Sequence, residues 1–489
     1  MALNNPNPEG LVPRLKELGE QFGHNDPQSK YLEASDHEGI FKPHAFPEQT
    51  ADLGEVRMNY AVVGSESNPA LLLIPGQTES WWGYENAMRL LSESYQVYAV
   101  DLRGQGRSTW TPGRYSLDNF GNDLVRFIDI VIKRPVIVSG LSSGGVMSAW
   151  MSAFAKPGQV LAAVYEDPPL FASELTPAIG QSVRQTIAGP MFRIWHKWLG
   201  PQWSIANEDG MHGAMAHELP SWVAKALTAI MAETKTAPFQ GPVPELREYD
   251  PEWGDAFWNG RVALTCDHQS MLQHVKVPVL FTHHFRRVDA DSGNLVGALS
   301  DAQIAHVRRL VEGAGNSFAY RSFPKMPHSM HEHDPICYVT AVTEWLEEKG
   351  LGRAVRPSPD QLPKKRASED NEAPDLSKVA PPTVRPDGVW NLTVQTPVGK
   401  QTVKLTARSE GNKMSGDLDG GEGKNEITEG TIDGSSVFWK ATIKKPVKVK
   451  ISYKAKIEGD TMTGTAKTPL LPTINFSGTR VVAPPAAES

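Results

Sequence analysis

The chain has 489 residues, which is enough for two or three domains with sizeable cores. Its formal net charge is −7 and it has no long basic run, so we do not expect it to bind nucleic acid. Its two cysteines, Cys266 and Cys337, exclude a disulfide framework and show no metal-ligand spacing. No segment has the apolar length of a membrane span, and the first residues lack the pattern of a signal peptide. We therefore expect a cytoplasmic protein without a membrane partner.

Strands and helices alternate along most of the chain. Residues 1–50 are polar and proline-rich and are predicted to form an N-terminal extension, whereas residues 51–352 contain short apolar runs separated by helical stretches. This alternation is typical of an α/β fold with a mostly parallel sheet. The predicted strands are Val56–Val63, Ala70–Ile74, Tyr95–Val100, a strand that begins at Val136, Leu161–Glu166, Val277–Thr282 and Ser317–Phe323.

The most informative segment is Gly140–Gly144, which reads Gly-Leu-Ser-Ser-Gly. A sharp turn between a strand and a helix exposes such a serine at the sheet edge, and the glycines allow the two elements to approach closely. The five-residue pattern also occurs in ordinary turns. Here an apolar strand precedes it and the helix-forming run Gly145–Ala155 follows it, which favours a nucleophile at Ser142.

Three segments occur in an order that is typical of one large superfamily. They are Leu71–Gln77, Asp101–Ser108 and Gly140–Gly145, and through them the chain resembles the α/β-hydrolase superfamily. The resemblance implies an α/β-hydrolase fold in which nucleophile, acid and histidine follow one another along the chain. A serine nucleophile excludes the haloalkane dehalogenase and epoxide hydrolase branches, which need an aspartate at that position.

His328 is the predicted general base. It follows the last strand and precedes the last helix of the domain, where a loop can reach back to the serine. His331 and His333 are close alternatives, but the three histidines have no matching carboxylate or cysteine pattern, so we predict no metal site. His331 lies about one helical turn further on and is predicted either to line the substrate pocket or to lie behind the catalytic residues.

The acid has three candidates. Asp167 stands directly at a strand end, and Pro168-Pro169 stiffens the chain after it. We therefore predict Asp167 as the acid, with its neighbour Glu166 as the first alternative. The third candidate is Asp289 or Asp291, in the polar loop after the Val277–Thr282 strand. It ranks below the other two because it lies further beyond the end of its strand.

The superfamily resemblance also implies an oxyanion hole made of two backbone N–H groups. One belongs to the residue after the nucleophile, here Ser143. The other lies in the loop after the third strand, where Pro75-Gly76 replaces the usual His-Gly and Gln77 is the predicted donor.

Between about residues 170 and 260 the alternation stops, and the chain becomes helical, irregular and rich in tryptophan and methionine. An insertion at this point would cover the sheet edge that carries Ser142, as a cap. Most of its aromatic side chains are expected to hold the cap together, but one face must meet the pocket. A large apolar pocket suits a bulky hydrophobic ligand. The predicted substrate-binding residues are Gly76, Trp82, Met191, Trp203 and His331.

The last part of the chain has a different pattern. Residues 353–385 are rich in proline and charge and are predicted to be a linker. Residues 386–482 alternate with period two between turn signals, which predicts an antiparallel meander of about eight strands, either a barrel or a sandwich. This β domain contains no cysteine or histidine. We expect a structural or partner-docking role, with homo-oligomer formation as one hypothesis, and we expect chemistry to continue without it.

A second resemblance is carried by six longer segments, which are 68–73, 80–85, 101–111, 114–123, 248–254 and 299–301. Through them the chain resembles the zearalenone lactonases across residues 45–350. The resemblance implies a cofactor-free serine lactonase that opens the macrocyclic aromatic ester zearalenone, with its acid after the sixth strand. Alternatives are a carboxylesterase or C–C bond hydrolase for a bulky apolar substrate, and a ligand receptor of the same fold with little turnover.

Overall fold

A computed structural model describes an α/β domain and a β-barrel domain. Most of the predicted N-terminal extension, Trp203, Asp291 and the linker from residue 357 onward lie outside the described residues. The described residues are 44–199, 211, 218–234, 246, 248–289, 292–356, 386–396, 399–410, 412–420, 423–443, 449–468 and 473–481.

Ten strands are described in the α/β domain. They are β1 (Glu48–Asp52), β2 (Arg57–Val63), β3 (Ala70–Ile74), β4 (Gln96–Val100), β5 (Val136–Leu141), β6 (Val160–Glu166), β7 (Val279–His283), β8 (Arg286–Val288), β9 (Leu295–Gly297) and β10 (Phe318–Ser322). Eight of them form one sheet in the order β1-β2-β4-β3-β5-β6-β7-β10, and β8 pairs with β9 in a separate hairpin. The sheet is parallel from β4 to β10, as predicted, and antiparallel at β1 and β2. Strand β1 begins before the predicted domain start at residue 51.

Helices cover both faces of this sheet. Leu72 and Ile74 of β3 belong to one apolar cluster, whereas Leu71 and Leu73 belong to another. Successive side chains of a strand point to opposite faces, so a continuous apolar strand is buried on both sides. The helices are α1 (Glu85–Leu91), α2 (Leu117–Phe127), α3 (Ser143–Phe154), α4 (Ala188–Leu199), α5 (Ser221–Thr234), α6 (Glu252–Trp258), α7 (His268–Leu272), α8 (Asp301–Gly313), α9 (Met330–His333) and α10 (Pro335–Glu348).

The cap lies between β6 and β7 and contains α4, α5 and α6. Its last part is fixed to the loops that follow β4. The Tyr115 hydroxyl donates to Asp250 Oδ2 at 2.5 Å, and Trp253 Nε1 donates to the Arg103 carbonyl at 2.7 Å. Both bonds are buried, so they hold the cap in one position over the sheet.

The β domain is a closed barrel of eight antiparallel strands, which decides between the two predicted forms. Its interior is filled by apolar side chains, among them Trp390, Trp439 and Phe476. Trp439 stacks on Tyr453 with ring centroids 5.0 Å apart. The strands are β11 (Gly388–Thr396), β12 (Gly399–Glu410), β13 (Lys413–Asp419), β14 (Lys424–Asp433), β15 (Ser436–Ile443), β16 (Val449–Glu458), β17 (Thr461–Lys467) and β18 (Ile474–Arg480). No helix within the described ranges has the length and apolar character needed to cross a membrane.

Candidate active site

Four side chains of the site come from four adjacent strands. Ser142 follows β5, Asp167 follows β6, His284 follows β7 and His328 lies in the loop after β10. In an open parallel sheet the carboxyl ends of neighbouring strands meet at one edge, where ligands bind. Residues far apart in sequence are therefore brought side by side.

The turn after β5 has the backbone of a nucleophile elbow. Ser142 has φ 54° and ψ −119°, a combination that residues other than glycine rarely adopt. A Cβ added to Gly140 would lie 2.1 Å from the Gly144 carbonyl oxygen, and one added to Gly144 would lie 2.2 Å from the Ile74 carbonyl oxygen. Both motif glycines are therefore required by close packing, and the turn projects Ser142 as the sequence pattern predicts.

Asp167 is only 1% exposed, and its carboxylate has two partners in the site. Oδ1 accepts the backbone N–H of His284 at 3.0 Å, and Oδ2 lies 2.7 Å from His328 Nδ1. Burial alone would raise the pKa of Asp167, but the neighbouring His284 and the hydrogen bond from His328 lower it to about 2. The carboxylate is therefore ionised over the whole range in which a histidine base works.

His328 borders the same cavity as Ser142, and its side chain is 48% exposed. Because Nδ1 faces the Asp167 carboxylate and carries the proton, Nε2 is free to accept a proton from a serine hydroxyl. Burial would lower the pKa of His328, but the hydrogen bond and charge of Asp167 raise it above the ordinary value, with smaller contributions from Glu79 and Glu166. Ser142, Asp167 and His328 thus border one cavity and have the residue types that a nucleophile, an acid and a base require.

His284 belongs to this site although the sequence did not single it out. Its backbone holds Asp167, and its Nδ1 donates to the His328 carbonyl at 2.7 Å. Its Nε2 lies 3.1 Å from Thr282 Oγ1. The residue is fully buried and fixes the acid relative to the loop of the base. The signal available in the sequence is its place directly after a buried strand.

Glu166, the alternative acid, pairs with a different histidine. Its two carboxylate oxygens lie 3.1 and 3.0 Å from His331 Nδ1, and Oε1 also accepts the His331 N–H at 3.0 Å. Both side chains are fully buried, and His331 stacks on Tyr84 with ring centroids 3.7 Å apart. Among the described residues, neither borders the cavity. The structure therefore does not place Glu166 as the acid. Of the two positions predicted for His331, the one in the pocket lining is wrong because α9 directs its ring into the core, where it lies behind the site against Glu166.

Asp289 has its partners within its own hairpin. Its Oδ2 accepts the N–H of Ser292 at 2.9 Å and the hydroxyl of the same residue at 2.5 Å. Its own backbone N–H donates to the Asn294 carbonyl at 2.8 Å. This carboxylate closes the turn between β8 and β9 and is not directed at His328.

The loop after β3 passes directly against the nucleophile. A Cβ added to Gly76 would lie 3.3 Å from Ser142 Cβ. Within the described ranges, the backbone N–H groups of Gln77 and Ser143 have no protein acceptor. Both N–H groups are therefore compatible with the predicted oxyanion hole, which stays a prediction. Gly76 packs closely against Ser142 but is not among the described residues that line the cavity.

Two further side chains fix this loop. Glu79 Oε2 accepts the Gly76 N–H at 3.1 Å, while its Oε1 accepts the Ser329 hydroxyl at 2.6 Å. One carboxylate thus joins the predicted oxyanion loop to the loop that carries the histidine. From the cap side, the Gln77 side chain donates to the Tyr249 hydroxyl at 2.5 Å.

Ser142, Asp167 and His328 border a cavity of about 240 Å³. Two other polar side chains border it, but the Ser173 hydroxyl donates to the Pro169 carbonyl at 2.9 Å and that of Thr186 to the Val183 carbonyl at 3.0 Å. The rest of the lining is apolar, which suits a bulky hydrophobic ligand. The largest of these side chains are Met191, Phe192, Trp195, Leu227, Ile230 and Phe285.

Of the other predicted substrate-binding residues, Met191 borders the cavity and Trp82 does not. Trp82 lies in the short 3-10 helix Trp81–Tyr84, where its ring stacks on His44 with centroids 5.6 Å apart and packs against the core under the opposite face of the sheet. The prediction for Trp82 is wrong because that helix directs the indole away from the strand ends.

One group in the described part of the chain has the spacing of metal ligands. It consists of His196, Glu252 and Asp255, whose ligand atoms lie within 4.8 Å of one another. Arg261 Nη2 already bonds to both carboxylates, at 3.4 Å from Glu252 and closer to Asp255. The guanidinium therefore already offsets one of the two carboxylate charges, and we assign this group a structural role.

A family model described as the α/β hydrolase fold matches residues 69–228. Together with the sheet order and the elbow, this match decides the architecture. The chain contains the α/β-hydrolase fold. Human epoxide hydrolase 4 is 31% identical over 108 residues, which are 22% of this chain and 30% of that protein. The 3-oxoadipate enol-lactonase 2 of Acinetobacter baylyi is 29% identical over 100 residues, which are 20% of this chain and 37% of that protein.

The chain thus spans about a third of the length of these relatives. Among solved structures, the enol-lactonase from Burkholderia xenovorans LB400 is similar to this chain with a TM-score of 0.41 and 15% sequence identity. That likeness covers 61% of this chain and 100% of the other.

Proposed function

We propose that the chain is a serine hydrolase that cleaves a carboxylic ester through an acyl-enzyme intermediate. The observation that carries this proposal is the elbow serine that borders a cavity together with a histidine bonded to a buried aspartate. A serine hydroxyl becomes an effective nucleophile only when a base takes its proton, and a carboxylate must stabilise the resulting imidazolium.

Each step of ester cleavage has a group in place. His328 takes the proton of Ser142 as the oxygen attacks the ester carbon, and the N–H groups of Gln77 and Ser143 stabilise the oxyanion. The protonated histidine then donates to the leaving alkoxide, which becomes an alcohol and leaves an acyl ester on Ser142. A water molecule, deprotonated by the same histidine, hydrolyses that ester.

The favoured substrate is a lactone with a bulky apolar body, and zearalenone is the first compound to test. The nearly apolar cavity supports a hydrophobic ligand, and the resemblance to zearalenone lactonases supports this macrocyclic ester. In a lactone the leaving alkoxide stays joined to the acyl group, so a roomy cavity must hold both parts of one molecule. A simple carboxylesterase is the main alternative, followed by a C–C bond hydrolase.

The two kinds of relative point to different chemistry. Epoxide hydrolase 4 is named for epoxides and 3-oxoadipate enol-lactonase 2 for an enol-lactone. Serine at position 142 supports ester chemistry, since epoxide opening in this superfamily uses an aspartate nucleophile. This distinction rests on the residue in the elbow and not on the degree of similarity.

A liquid-chromatography assay tests the proposal. Purified protein is incubated with zearalenone and, separately, with p-nitrophenyl acetate, and Ser142→Ala serves as the control. Multiple turnovers of zearalenone that the variant lacks support the lactonase, whereas turnover of the short ester alone supports a general esterase. Binding of zearalenone without turnover of either compound would show a ligand receptor and refute the proposal.

A further inference from the structure

One wall of the active-site cavity is formed by two short segments of the chain. Val183, Thr186 and Ile187 come from the segment 179–188, and Phe285 and Gly297 from the β8–β9 hairpin and its start. The two pieces are joined by a bridge between Thr186 and Leu295, where the Ile187 N–H donates to the Leu295 carbonyl at 3.2 Å. A two-stranded hairpin is only marginally stable by itself. The α/β domain holds part of this wall, because Gln303 Nε2 of α8 donates to the carbonyls of Ile179 and Gln181 at 3.2 and 3.1 Å. The turn of the hairpin has a further support.

The barrel supplies a side chain on that outer side. Val437 and Trp439 point into the barrel, so Phe438 between them points outward, yet it is only 5% exposed. It is covered by the turn of the β8–β9 hairpin. A Cβ added to Gly293 would lie 2.6 Å from the Cγ atom of Phe438. The ring thus lies directly on the backbone of the hairpin turn.

A second contact reaches the other piece of the wall. Asn412, between β12 and β13, is 1% exposed, and its Nδ2 donates to the Gly180 carbonyl at 2.6 Å. The neighbouring Gln181 donates through Nε2 to the Gly293 carbonyl at 3.3 Å, which links the two contacted turns. The barrel therefore contacts both pieces of the wall at points that are themselves hydrogen-bonded to each other.

We propose that the barrel determines substrate selectivity by holding the outer side of this cavity wall in place. The proposal rests on the proposed ester hydrolysis. The triad residues are fixed by the ends of the central strands and by bonds among themselves, so their geometry does not depend on the barrel. We infer that this wall contacts the apolar body of a bulky substrate, which a small ester lacks. A loosened wall therefore weakens binding of a bulky substrate more than that of a small one. The expectation that the barrel plays no part in turnover would then hold for small esters alone.

The test uses two variants of the full chain. Phe438→Ser removes the ring from the hairpin turn, and Asn412→Ala removes the bond to Gly180. Thr442→Ala, on the outward side of the same strand as Phe438, is the matched control. For zearalenone we expect both variants to raise KM by about tenfold, the size of effect expected from altered apolar pocket contacts. For p-nitrophenyl acetate we expect kcat/KM to stay within about twofold of the wild-type value, because the triad geometry is retained.

A second measurement separates this proposal from the proposed function. Hydrogen–deuterium exchange of peptides covering 286–297 should be faster in both variants than in the wild type and in Thr442→Ala, whatever substrates are hydrolysed. If the wild type hydrolysed neither substrate, the proposed function would be refuted. The exchange result would then decide by itself whether the barrel stabilises the wall. The proposed role of the barrel would be overturned if exchange were unchanged in both variants. It would also be overturned if the ratio of the kcat/KM values for the two substrates were unchanged.

Discussion

Two carboxylate–histidine pairs lie next to each other at the end of β6. They contain the same functional groups but differ in exposure and in contact with the cavity. Asp167 pairs with His328 at 2.7 Å, and Glu166 pairs with His331 at 3.0 Å. Glu166 is the last residue of β6, whereas Asp167 follows it with a positive φ of 42°, so the chain turns between them and their side chains reach different histidines. The side chain of His328 is 48% exposed and borders the cavity, whereas that of His331 is fully buried.

The contrast shows that position, and not residue type, decides which of the two pairs a ligand in the cavity can reach. His331 is enclosed by Glu166 and by the stacked ring of Tyr84, so no substrate can reach it. Burial alone would lower the pKa of His331 and raise that of Glu166, but each partner shifts the other toward its charged form, and the net shifts run upward for His331 and downward for Glu166. This buried pair holds α9, and with it the loop that presents His328.

The largest expected effect comes from removing the hydroxyl group of Ser142, which we expect to work with the Asp167–His328 pair alone. Ser142→Ala should lower kcat by several orders of magnitude, since the nucleophilic oxygen is lost and only oxyanion stabilisation and binding remain. The thermal unfolding curve should stay close to that of the wild type. Activity near the wild-type level in a folded variant would show that neither pair works through this serine.

Asp167→Asn should have the next largest effect on turnover. The variant keeps the shape of the side chain but removes the charge that orients His328 and stabilises its imidazolium, so kcat should fall by about 10⁴-fold. KM should change much less. Stopped-flow or long-incubation assays with p-nitrophenyl acetate measure both constants, and circular dichroism checks that the compared proteins are equally folded.

Glu166→Gln should lower the stability of the fold more than it lowers activity. Breaking a buried ion pair by removing one partner costs about 3–5 kcal/mol of folding free energy, because the other charge is left unpaired. The loss in kcat should be far smaller than in Asp167→Asn, since Glu166 does not contact His328. Urea unfolding and steady-state kinetics on the same samples measure the two effects. A stable but inactive Glu166→Gln protein would exchange the roles that the structure gives the two carboxylates.

Much of the site could be predicted from local sequence. The Gly-x-Ser-x-Gly turn and the aspartate directly after β6 each stand at the end of a buried apolar run, and the histidine lies in the loop between β10 and α9. Strand ends of a parallel sheet converge, so a pattern that locates strand ends also locates such residues. The period-two pattern likewise predicted the eight strands of the second domain, but closure into a barrel depends on pairing between its first and last strands, which local sequence does not encode.

Other features depend on side-chain direction and on contacts across long distances. Trp82 and His331 have the residue types of a binding site, yet the helices that carry them direct them into the core. His284 and Glu79 act through partners that are far away in sequence, since the His284 N–H donates to the Asp167 carboxylate and the Ser329 hydroxyl donates to the Glu79 carboxylate. The contact between Phe438 and the hairpin turn joins two domains across a proline-rich segment. Such pairings arise only from the assembled fold.

The pH dependence of the reaction gives the finest test of the comparison. His328 must be neutral to take the serine proton, so kcat/KM should rise with pH through the pKa of this histidine in the free enzyme. Asp167 raises the pKa of His328, so the midpoint should lie above the ordinary histidine value of about 6.5.

In Asp167→Asn the hydrogen bond to a charged group is gone and burial remains, so the midpoint should move to lower pH. Glu166 makes a smaller contribution, so Glu166→Gln should move it in the same direction by less. An NMR titration of His328 in the Ser142→Ala background measures this pKa directly and avoids the low activity of the variants. If Glu166→Gln shifted the titration more than Asp167→Asn, the pair at the cavity would not be the one that tunes the base.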